Sequence, residues 1–101
     1  MAFTIKWSER AFKSLEGNFE YIARDSLKYA KIFVRDIRSQ INALKETPIL
    51  GRQVPEMHNQ NYREIIYKSY RIIYRVDTES NFIQILLIRH GAKPIEADFL
   101  S

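Results

Sequence analysis

Tyr62–Val76, YREIIYKSYRIIYRV, decides the fold of this 101-residue chain. Ile65, Ile66 and Tyr67 run up to a polar break at Lys68 and Ser69. From Tyr70 the residues alternate, with Tyr70, Ile72, Tyr74 and Val76 on one side and Arg71, Ile73 and Arg75 on the other. A period of two is that of a strand, whose successive side chains point to opposite faces, so the stretch is predicted to be a β-hairpin with one apolar and one basic face. A two-residue turn at Lys68 and Ser69 sets the register. Tyr67 then faces Tyr70, Ile65 faces Ile72 and Arg63 faces Tyr74, while Ile66–Arg71 and Glu64–Ile73 pair on the other side.

Upstream, Phe3, Ile5 and Trp7 alternate with polar residues as in a short half-buried strand. Ser8 reads as a helix N-cap with Glu9 in the first turn, and Ala11, Phe12, Leu15, Phe19, Ile22 and Ala23 recur at helical spacing. Asp25 and Ser26 break that helix and cap a second, striped by Ala30, Phe33, Val34, Ile37, Ile41 and Leu44. So short a break makes the two helices antiparallel neighbours with a shared apolar side that needs a sheet to cover it. Residues Thr47–Asn61, TPILGRQVPEMHNQN, are rich in turn formers and are expected to run over the surface as a loop. Downstream, Asp77–Asn81 is a turn. Phe82–His90 follows as a last strand, with Ile83, Ile85 and Leu87 alternating against Phe82, Leu86 and Ile88; apolar on both sides, it belongs inside the sheet. Gly91 closes it. The fold class is therefore α+β: an N-terminal strand, an α-helical hairpin, then a three-stranded, mainly antiparallel sheet, all in a single domain spanning 1–101.

Composition narrows the function. The chain has no cysteine, which removes disulfides, thiolate metal sites and a thiol nucleophile and agrees with a reducing compartment. The first residues are too charged for a signal peptide and no apolar run approaches the roughly 20 residues that span a bilayer, so a cytoplasmic, membrane-free protein is expected. A formal charge of +4 favours an acidic partner, either a nucleic acid or an acidic protein. Nothing in the chain has metal-ligand spacing, and no cofactor is expected.

Several words in this order, WSERAF, YIARDSLKYA, PILGRQVPE, REIIYKSYRIIYRV and ILLIRHGAKP, resemble the ParE/RelE superfamily of toxins from type II toxin-antitoxin systems. GRQVPE, the YRIIYRV strand and the late HGA are more similar to the ParE branch, often called plasmid stabilisation proteins. The resemblance implies a toxin neutralised by a cognate antitoxin with an acidic C-terminal segment. ParE-like members inhibit DNA gyrase by binding it; RelE-like members are endoribonucleases that cut mRNA on the ribosome, and this is the alternative. A third possibility is an inactive member that only binds antitoxin. The RelE-like site uses an arginine in the YR word, lysines on the preceding strand, a basic residue after the closing glycine and a tail tyrosine. Arg71 and Lys93 fit the first and third, but Glu64 and Ile66 stand approximately at the lysine positions and Phe99 at the tyrosine.

Candidate site residues follow from both readings. Arg71 and Arg75 share a strand face, with Arg63, Arg89 and Lys93 expected nearby, and such a group suits phosphates or carboxylates of a target or antitoxin. The competing reading is a solvated sheet face whose arginine stems cover apolar surface. A RelE-like catalyst would draw on Arg71, Lys93 and His90; in the ParE reading no residue is catalytic and His90 is structural. Tyr67, Tyr70 and Tyr74 are assigned to packing under the helices, although aromatics interleaved with cations also stack on bases. Glu16, Glu20 and Asp25 read as a solvated helix face.

Overall fold

A computed structural model describes residues 2–91. The elements in order are β1 (Thr4–Trp7), α1 (Glu9–Ala23), α2 (Leu27–Asn42), a 3-10 turn at Ala43–Lys45, β2 (Arg52–Gln53), β3 (Tyr62–Tyr67), β4 (Tyr70–Asp77) and β5 (Phe82–His90). They form one five-stranded sheet in the order β1-β5-β4-β3-β2, with β1 parallel to β5 and the other pairs antiparallel. The α+β architecture is the one expected, with two strands more than the three-stranded sheet read from sequence. The N-terminal strand joins that sheet at its β5 edge. The second addition, β2, lies inside the segment expected to be a surface loop.

The hairpin forms in the expected register, pair for pair: Tyr67↔Tyr70, Ile66↔Arg71, Ile65↔Ile72, Glu64↔Ile73 and Arg63↔Tyr74. Lys68 takes φ 52 to close the turn, a left-handed conformation that costs a non-glycine residue on the order of 1 kcal/mol. The two strands' packing holds it there. Below β4, Ile72, Tyr74 and Val76 join Ile83, Ile85 and Ile88 of β5 against Ala11, Phe33, Ile37, Ile41 and Leu44 from the helical layer. Ile72, Ile37, Leu44 and Tyr74 are fully buried, and each of the three aliphatic side chains among them contributes roughly 1.5–3 kcal/mol.

One detail of β5 departs from simple alternation. A bulge lies opposite the Ile73–Tyr74 step: Ile73 pairs with Leu87 but Tyr74 pairs with Ile85, so Leu86 is the extra residue. Strict alternation put Leu87 with Ile83 and Ile85. The bulge instead turns Ile88 into the main core and sends Leu87 to the opposite face, in a small cluster with Ile73 and Val54. Arg89, two residues beyond Leu87, faces Arg71 across the ladder.

Both helices begin at the predicted caps, with the Ser8 side chain accepting from the Ala11 N–H and Ser26 from the Tyr29 N–H. The first helix also serves the sheet. β1 pairs with β5 only as far as Ile85, and beyond it the Ser8 hydroxyl donates to Leu86 O, the Ser14 hydroxyl accepts from Ile88 N–H, and the Asn18 amide donates to Ile88 O. These bonds satisfy β5 backbone groups on the side where β1 has ended and no strand lies next to them.

Residues 47–61 are more than a surface loop. Val54 is fully buried against Ile73 and Leu87. Gly51 lies so close to β3 that a Cβ there would clash with the Glu64 carbonyl oxygen. Its N–H donates to the Tyr74 hydroxyl, which donates in turn to Pro48 O, while Arg63 donates to Gly51 O. The Gly51 bonds, to Tyr74 and Arg63 of the helix side, fix the first part of this segment, and Val54 draws its later part onto the sheet face that the helices leave open.

Candidate functional site

On that open face, alternation and the β5 bulge bring Glu64, Ile66, Arg71, Ile73, Arg75, Leu87 and Arg89 to one side. Arg71 lies at the hub and is only 8% exposed. Its Nε donates to Glu64 Oε1 at 2.6 Å, and its two terminal nitrogens form a fork on Glu56, Nη1 to Oε2 at 2.9 Å and Nη2 to Oε1 at 2.8 Å. Glu64, whose side chain is fully buried, also accepts from Arg52 Nε at 2.6 Å. Two arginines and two glutamates thus form one network of forked, charge-assisted bonds, the arrangement that allows charges to be buried at all. The fork on Glu56, with Glu64 behind it, holds Arg71 charged well above even the ordinary arginine range, against the opposing effect of burial.

The other expected site residues are spread more widely. Arg75 sits further along β4, donating to Gln84 at 3.3 Å, 3.8 Å from Asp77 and over the Phe82 ring. Arg63 faces Tyr74, on the side under the helices, and is engaged with Gly51. Arg89 is opposite Arg71. His90 lies at the end of β5 with its ring edge-on to Tyr70 at 4.8 Å, and Tyr70 in turn packs on Phe33 at 4.6 Å. Burial raises the Tyr70 phenol above its usual range. Lys93 and Phe99 lie outside the described residues. Among the described residues no cluster of His, Asp or Glu could hold a metal ion, and no helix is long and apolar enough to cross a membrane.

Sequence reasoning did not place Arg52 or Glu56 in this site, and read Glu64 only as a lost lysine. The signal was present in part. In the predicted register Glu64 lies one pair away from Arg71 on the same face, so a buried ion pair was legible. Glu56 was not, because no periodicity governs the segment that brings it back over β4.

A two-helix layer over one face of an antiparallel-rich sheet, with an arginine-centred network on the other, defines a small α+β domain that presents a charged sheet face. The family model for the ParE toxin of type II toxin-antitoxin systems, parDE, matches residues 5–95, and the chain belongs to this family. It is a ParE-family toxin of a type II toxin-antitoxin system. No curated protein sequence matches it. Among solved structures it is similar to a chain of the chromosomal ParDE system from P. aeruginosa, with a TM-score of 0.72 and 22% identity over 90% of this chain and 98% of that one. It is also similar to chains of two RelBE complexes, RelBE2 from Mycobacterium tuberculosis (TM-score 0.62, 18% identity, 89% and 99% covered) and the intact E. coli RelBE (0.63, 17%, 91% and 99%). These likenesses concern the fold.

Proposed function

We propose that this toxin acts as ParE-like members do, by binding DNA gyrase and blocking its work, without cutting RNA, and that a cognate antitoxin neutralises it. The state of Arg71 carries this reading. Phosphodiester cleavage develops a second negative charge on the phosphate, which a catalyst must meet with donors aimed at it and with a group that moves protons. Here all three guanidinium nitrogens of Arg71 already bond carboxylates. The neighbouring positions on β3 that would supply lysines hold Glu64 and Ile66, so an arriving phosphate meets a buried carboxylate instead of more cations. In this reading the open face, with Arg71, Arg75 and Arg89, is a surface for protein partners.

Expression without antitoxin, followed by primer extension on a reporter transcript and a supercoiling assay with purified gyrase, tests the proposal. Intact transcript with lost supercoiling is expected. Codon-specific cuts with normal supercoiling would overturn it in favour of the ribosome-dependent endoribonuclease.

A further inference from the structure

We infer that the cavity beside Arg71 is a binding site for an acidic side chain of a protein partner, and that Glu56 is its internal occupant, displaced when the partner's carboxylate takes its place on the Arg71 fork. The inference concerns what this face binds and holds whether or not gyrase is the target. The cavity, about 500 Å³, is lined by Arg52, Pro55, Glu56, Ile66, Lys68 and Arg71 among others. Arg52 and Arg71 are balanced there by Glu56 and the buried Glu64, and Lys68 adds one positive charge at the cavity, so an anion is admitted by exchange for Glu56 and not by a surplus of bare cations.

The two carboxylates on Arg71 are held very differently. Glu64 belongs to β3, has no exposed side-chain surface and is bonded from both sides by Arg52 and Arg71. It stays in place as the buried counter-charge. Glu56 stands on a segment without regular secondary structure between β2 and β3, with its side chain 23% exposed. That segment is anchored independently of Glu56, by Val54 in the small apolar cluster and by the Gly51 bonds to Tyr74 and Arg63. Moving the Glu56 side chain therefore does not require the segment to leave the sheet.

Exchange of one carboxylate for another keeps the charge on Arg71 balanced throughout, so a buried cation is never left with Glu64 alone for long. The geometry already displayed, a planar fork against a planar carboxylate, is the one an incoming glutamate or aspartate would reproduce. Its surroundings add a second requirement. Ile66, 52% exposed, and Pro55 line the same cavity, which suits an acidic residue flanked by apolar ones in a peptide. A dianionic phosphate would gain nothing from those walls and would lie against Glu64.

NMR titration read on the backbone amides of Ile66 and Lys68, which line the cavity, tests this, using N-acetyl-glutamate methylamide as probe, its glutamine analogue as control and inorganic phosphate as the competing anion. Glu56→Gln should bind the glutamate probe at least about tenfold more tightly than the parent, since the internal competitor loses its charge. Adding Arg71→Lys should abolish that gain. Equal affinity in parent and Glu56→Gln, or tighter binding of phosphate than of the carboxylate, would overturn the inference. If the Glu56→Gln chain does not fold, titration of the parent decides: a saturating shift with the glutamate probe and none with the glutamine analogue supports the site, and no shift with either sinks it.

Discussion

The two faces of β4 are both covered at their centre, but by opposite means. Towards the helices, Ile72, Tyr74 and Val76 meet Ile37, Ile41 and Leu44 in a continuous apolar cluster. Towards the open side, Ile73 shares its cluster with just Val54 and Leu87 as buried members among the described residues, and next to it lies the Arg52–Glu64–Arg71–Glu56 network. The first arrangement is non-directional and gains with every methylene buried. The second is directional and conditional, because each charge is tolerable only while its partner is present. The lesson is that a strand reading as one greasy and one basic face does not expose its basic face: charge and counter-charge have closed it.

Ile72→Asp should give the largest effect. It puts a carboxylate without a partner into the fully buried layer beneath the helices, and the loss, on the order of 4–5 kcal/mol or more, should abolish cooperative thermal unfolding. A melt within a few degrees of the parent would mean that the two faces of β4 are not distinguished in this way.

A smaller effect is expected on the open face. Glu64→Gln leaves Arg71 buried with Glu56 as its remaining carboxylate and should cost roughly 2–4 kcal/mol in urea unfolding. The double variant Glu64→Leu, Arg71→Met removes both buried charges and should recover most of that loss. If the double variant is as unstable as the single one, the network stabilises the fold by something other than mutual neutralisation, and the contrast between the faces fails.

The smallest effect belongs to a bond that ties the hairpin's tip to α2, the Tyr67 hydroxyl on Asp36 Oδ2 at 2.6 Å. That bond holds the Asp36 carboxyl below the usual aspartate range, and burial together with Asp36 pushes the Tyr67 phenol up to about 12. A depressed carboxyl contributes stability that is present above its unfolded value near 4 and is lost as the pH falls through the lower folded value. A raised phenol contributes stability that is present below about 10 and is lost as the pH rises towards the folded value. Tyr67→Phe should therefore melt slightly below the parent between about pH 5 and pH 9, with the gap closing towards pH 3 and again above pH 11. A gap independent of pH would assign the effect to packing against Phe33, whose ring lies 6.5 Å away.

The sequence by itself determined the elements and the hairpin. Periods of two and 3.6, the Ser8 and Ser26 caps and the two-residue break at Lys68 are local signals, and local geometry obeys them. It also determined that Ile72 and Arg71 lie on opposite faces. Tertiary structure alone decided three further matters. The Leu86 bulge, which depends on how β5 registers against β4 and not on any residue type within it, moved Leu87 and Arg89 to the open face. The two-residue strand at Arg52–Gln53 forms because Val54 and Gly51 find places on the sheet, and two residues carry no periodicity to read. The pairing of Arg71 with Glu56, fifteen positions apart along a segment without a repeating pattern, exists only once that segment is laid across the open face. Charges find their partners through space, and a linear pattern reports only the neighbours that a regular element places at a fixed interval.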